Sequence, residues 1–193
     1  MQDGPHRDLM LKAIAREAEA HRAALAGDRD AATSAYGDAV ALYRQSWEIA
    51  PPKSYGRLVG LLKAAVLGGA GAQGAAYVRG QLAAEVAGEL SPTAGYVLAV
   101  AALVAGDDAA ATRFAGTMRG ASAPHDRTAD AIAAIAAGDA VAYRDAVGAI
   151  VDDFAARDAH LTGVPIADTA AMLEAIASER GLGAGLHGPL LPA

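Results

Sequence analysis

Apolar positions recur every three or four residues along almost the whole chain, the period of a helix with one buried face. Residues 29–50 show it best. Ala32, Tyr36, Ala39, Val40, Tyr43, Trp47 and Ala50 form one stripe, and Asp28 precedes it as an N-cap candidate after Gly27. Roughly 8–26 reads as a preceding helix with Leu11, Ile14, Ala18 and Leu25 on one side. Two antiparallel helices joined at Ala26-Gly27-Asp28 are the simplest arrangement of that stretch.

The same punctuation returns at Gly106-Asp107 and Gly138-Asp139, where a small apolar helix ends at glycine and aspartate caps the next. Pro51 and Pro52 stop the second helix, and Ser54 is placed to cap the third. Ser91 followed by Pro92 opens another helix, because proline fits the first helical position. Pro124 predicts a break in the chain, and a closing helix near 166–180 ends in a glycine stop. The pattern therefore predicts about nine helices and an all-α fold. Four antiparallel hairpins, turning near Gly27, Gly69–Gly74, Gly106 and Gly138, build a superhelix with a C-terminal helix behind them. Turn spacings of roughly 32 to 47 residues suit stacked helix pairs. No linker composition divides residues 1–193, which read as a single domain with flexible ends at 1–7 and 184–193.

Composition sharpens this in two ways. Alanine occurs 53 times and aromatics make up only 5% of the chain, so helices can approach closely and a few large side chains must anchor the core. The formal charge of −6, with scattered Lys and Arg, gives no electrostatic reason to approach nucleic acid or an anionic membrane. The absence of cysteine excludes disulfides and thiolate metal sites. The opening MQDGPHRDLM lacks the apolar core of a secretory signal, and the longest apolar run, 96–105, is too short to span a bilayer. A cytoplasmic protein is the expectation.

Residues 27–42, GDRDAATSAYGDAVAL, resemble the second helix of a tetratricopeptide repeat. Gly27 and Asp28 match its turn, and Ala32, Tyr36, Ala39 and Leu42 match its small and large packing positions. Later hairpins keep the Gly-Asp turn; Ala111 retains the small residue, whereas Tyr143 replaces it. The resemblance implies a right-handed array of hairpins that binds protein segments on its concave face.

Three short motifs were weighed as chemistry. Gly69-Ala70-Gly71-Ala72-Gln73-Gly74 spells G-x-G-x-x-G, but a dinucleotide site needs a strand before the glycines. Tyr55, Leu58, Val59, Leu62, Ala65 and Val66 instead step helically, so the stretch is a turn between helices. Asp152, Asp153 and Asp158 resemble the aspartate-rich motif of prenyl-chain enzymes, yet no second acidic cluster matches them, and solvated helix-end charges account for them. His125-Asp126 is similar to the metal pair of helical phosphohydrolases, but the nearest preceding histidine is His21; His125 reads as sitting at a Pro-marked loop, and a helix N-terminal aspartate with a surface histidine is the better account. His160 and His187 read as loop residues, and no metal, cofactor or catalytic residue is expected.

One stretch has binding character. Lys53, Tyr55 and Arg57 cluster at the start of the third helix, where a basic-aromatic patch could grip a carboxylate or acidic peptide. The functional expectation is a non-enzymatic module that binds a protein or peptide partner in a groove between hairpins, with homodimerisation possible through an uncapped terminal hairpin. Two alternatives remain: an acidic regulatory or immunity protein that masks one toxin or enzyme, and a small helical enzyme or ligand carrier using the acidic or glycine-rich stretch.

Overall fold

A computed structural model describes residues 4–192, and these form nine helices with no strand. In chain order they are α1 (Pro5–Leu25), α2 (Arg29–Glu48), α3 (Gly56–Leu67), α4 (Gly71–Gln81), α5 (Pro92–Val104), α6 (Asp108–Gly116), α7 (Ala123–Ala137), α8 (Ala140–Ala155) and α9 (Asp168–Glu179).

The turn chemistry acts as its residue types dictate. Asp28, Asp107 and Asp139 each accept a backbone N–H from the first turn of the following helix, as does Ser91 from Ala94. Gly27, Gly106 and Gly138 end the preceding helices at positive φ, which costs glycine nothing. Gly69 turns α3 into α4 in the same way, and Gly71 and Gly74 lie inside α4, so the G-x-G-x-x-G stretch is a hairpin with no strand before it.

Local expectations fail in two places. Ser54 caps nothing: its hydroxyl donates to the Pro51 carbonyl, and α3 begins at Gly56 without a side-chain cap. The break expected around Pro124 is present between α6 and α7, with Ser122 capping α7 and proline in its first turn, but His125 lies inside that helix and not in a loop. Residues 5–7 belong to α1, and 184–192 are fastened to α9, while residues 1–3 and 193 lie outside the described residues.

Each hairpin packs its two helices together, and α1, α3, α5 and α7 also meet in sequence as an inner row. The apolar run at 96–105 is the body of α5, a helix about 20 Å long at 1.5 Å per residue, which lies in the middle of that row with ten residues buried. Among the described residues no helix is long and apolar enough to cross a membrane. Helix α9 does not extend the row. It packs against α3, α7 and α8, returning the end of the chain to the first half. Tyr143, the bulky exception at the small-residue position, reaches α9 and donates to Glu174 Oε2 at 2.8 Å.

Close approach is possible because small residues stand at the crossings. At Gly60 on α3, a Cβ would lie 2.4 Å from Cζ of Tyr43, a ring 1% exposed whose hydroxyl is anchored to Glu17. The ring cannot swing aside without breaking that bond. Gly60→Ala is therefore expected to lower stability by about 1–3 kcal/mol through overpacking. Tyr43→Leu in the same background should recover part of the loss specific to the clash, which urea unfolding of the two single variants and the double variant will measure.

Candidate functional site

Helix α1 presents a polar face inward. Leu11, expected in the apolar stripe, is 50% exposed, and Glu17 and His21 are buried in its place at 2% and 1%. They are one turn apart on the same side of the helix as Ala13 and Ala20, both fully buried. Across from them, α3 contributes Lys63, and the first residue of α9 contributes Asp168. The segment between α8 and α9 closes over the group with Thr162.

The contacts form a chain. Tyr43 donates to Glu17 Oε2 at 2.7 Å. His21 Nε2 stands 3.9 Å from Glu17 Oε1 and makes no hydrogen bond. The other ring nitrogen, Nδ1, is hydrogen-bonded to Thr162 Oγ1 at 3.1 Å, and that oxygen also accepts from Val164 N. Lys63 Nζ donates to Asp168 Oδ2 at 2.9 Å, and Thr169 Oγ1 donates to Asp168 Oδ1. One potential ligand atom from each of Glu17, His21 and Asp168 lies within 4.8 Å of the others.

Electrostatics sort these groups into distinct charge states. Burial raises the Glu17 carboxyl to about 7, against the opposing pull of the Tyr43 hydroxyl and of Lys63. Burial lowers His21 to about 4, so its imidazole is neutral at neutral pH. Burial alone would discharge Lys63 and Asp168, but each outweighs that cost for the other: the ammonium is raised and the carboxyl lowered. The interior thus holds one secured ion pair beside a second carboxyl poised between its two forms. His21, Lys63, Asp168 and Thr169 line a cavity of about 220 Å³ that also meets His160, a residue stacked on Phe154.

A second concavity lies on the other side of Tyr36, whose ring meets His21 edge-on at 5.9 Å. This cleft of about 610 Å³ runs between α2, α3 and α9 and is lined by Thr33, Tyr36, Leu67, Ala171 and Ala175. The tail after α9, which turns at Gly188–Leu191, forms one of its walls. Ala184 N and Gly185 N donate to the Glu174 carboxylate at 3.1 and 2.8 Å, and Ala167 N donates to Leu190 O at 2.8 Å. Leu186, Leu190 and Leu191 pack against the core.

The residues singled out from sequence are distributed differently. Arg57 is 5% exposed, with Nε donating to Ser46 Oγ at 2.7 Å, and burial lowers its guanidinium. Tyr55 is 5% exposed, donates to Glu85 and stacks on Trp47. Lys53 alone of the three is at the surface, in the turn before α3. Asp153 is taken up by Arg127 and Arg157, while Asp152 and Asp158 are exposed and separate. His125 pairs with its own cap, Ser122.

Sequence reasoning passed over Glu17, His21, Lys63 and Asp168. The available signal was the Glu17–His21 spacing of four on a helix whose neighbouring inward positions are alanine; Lys63 and Asp168, 105 residues apart, carry none. The chain matches no described protein family, no curated protein and no solved structure.

Proposed function

We propose that this is a non-enzymatic binding protein of tetratricopeptide-like helix hairpins, which holds an extended apolar segment of a protein partner in the cleft between α2, α3 and α9. One observation carries the reading: a non-helical segment of the chain itself, within residues 184–192, already packs along that cleft as one of its walls. The Glu174 carboxylate receives two successive main-chain N–H groups there, a contact indifferent to side-chain identity. Leucines at 186, 190 and 191 supply the apolar part. A partner segment with the same alternation of free amide groups and aliphatic side chains would use the same features beside the tail or in its place. The formal charge of −6 favours a basic partner, including a toxin or enzyme held inhibited.

The test is a photo-crosslinking residue at Thr33, exposed on the cleft wall. In its native cells the protein is expected to capture one partner through an extended aliphatic peptide, mapped by mass spectrometry. Ala175→Trp, which fills the cleft, should abolish capture, and a synthetic peptide of residues 184–192 should compete. No adduct, or one unaffected by Ala175→Trp, overturns the reading.

A further inference from the structure

We propose that Glu17, His21 and Asp168 form a binding site for a single divalent transition-metal ion, with zinc as the reference case. The inference concerns the buried cluster and is independent of the cleft. Two elements distant in sequence, α1 with two residues and the start of α9 with one, bring two carboxylates and an imidazole together with ligand atoms within 4.8 Å of one another. Ligands bound at about 2.0–2.2 Å around one ion sit closer than that to each other, so rotamer adjustments of an ångström or so complete the shell.

The second observation is His21 itself. The side chain is 1% exposed, yet Nε2, which faces Glu17, has no hydrogen-bond partner. A buried nitrogen left unpaired is costly, and a metal ion would satisfy it. Thr162 Oγ1 can accept from Nδ1–H, fixing the tautomer that turns the Nε2 lone pair toward the cluster, as outer partners of metal-bound histidines do.

Charge also favours a cation. Lys63 donates to one of the two carboxylates, Asp168, through Oδ2, while Glu17 accepts from the uncharged Tyr43 hydroxyl. The cavity of about 220 Å³ reaches His21 and Asp168 from beneath residues 157–164, giving an ion and its remaining water ligands a way in. One nitrogen and two carboxylate oxygens suit zinc, manganese or ferrous iron better than calcium, which prefers six or more oxygens.

The full chain, stripped with chelator, is titrated with Zn²⁺ by calorimetry and with Co²⁺ by visible absorption. One ion per chain is expected, with cobalt d–d bands and a rise in thermal midpoint on zinc addition. Glu17→Gln and His21→Gln should each weaken binding 100-fold or more. Thr162→Val should weaken it about 10–100-fold by freeing the ring, and Asp152→Asn at an exposed carboxylate of α8 should change nothing. Should His21→Gln fail to fold, the ¹⁵N shift of His21 Nε2 on zinc addition to the wild type decides the point. Absence of one-to-one binding, binding indifferent to His21→Gln, or an unmoved Nε2 resonance overturns the proposal.

Discussion

Replacing Asp168 by Asn is expected to cost about 3–5 kcal/mol, the range for removing one partner of a buried ion pair. The carboxylate is 13% exposed and its partner Lys63 only 14%, so water cannot replace the lost charge. The effect should be localised as well as large, because this pair ties the first residue of α9 to α3. Hydrogen exchange in the metal-free protein is expected to show α9 and the 157–166 segment losing protection before α5 does. The combined change Lys63→Met with Asp168→Leu removes both charges and should recover most of the lost stability, since an apolar replacement leaves nothing stranded. A double variant as unstable as Asp168→Asn would mean that the aspartate matters as a helix-start residue and not as an ion-pair partner.

The second large effect is a pair of opposed pH dependences. In the unfolded chain Glu17 loses its proton near 4.5, and in the fold near about 7. Between those values the native state holds the extra proton, so the wild type loses stability as pH rises through that window. His21 runs the other way. Unfolded, it takes a proton near 6.5, and folded only near about 4, so stability is lost as pH falls between them. Each shift corresponds to about 3 kcal/mol. From pH 4.5 to 6.5 the two slopes oppose, and the wild type should look flat with respect to this pair. Urea unfolding in chelator, compared across pH, separates them. Glu17→Gln should gain about 3 kcal/mol on the wild type between pH 4 and 8, and His21→Gln should gain a similar amount as pH falls from 7 to 4. A Glu17→Gln difference that stays constant with pH would show that this carboxyl titrates alike in both states.

What could be read in advance divides by the range of the interaction that decides it. Asp28, Asp107, Asp139 and Ser91 act on amides two or three residues away, so their residue types alone announce the helix starts. Ser54 misled because a hydroxyl beside two prolines has a nearer acceptor, and His125 because the proline before it starts a helix there. The rotation of α1 was hidden for a different reason. Leu11 is the more apolar residue, yet Glu17 and His21 take the interior because Tyr43, Thr162 and the Lys63–Asp168 pair, all from other elements, compensate them. Lys53, Tyr55 and Arg57 looked like a surface patch for the same reason in reverse: Ser46 and Glu85, distant in sequence, draw two of them inside. The resemblance of residues 27–42 to a repeat helix speaks for hairpins but not for what fills the space between them, which Tyr143 and α9 decide.

The way α9 doubles back onto α3 bears on how this chain matures during synthesis. Glu17, His21 and Lys63 leave the ribosome long before Asp168, the residue that completes their surroundings, has been translated. Until then the nascent hairpins carry acidic and basic groups that favour staying wet, which holds the growing bundle loose at that seam. Release of the closing segment then acts as the final stitch, and a ribosome stalled ahead of it should display a protease-sensitive intermediate.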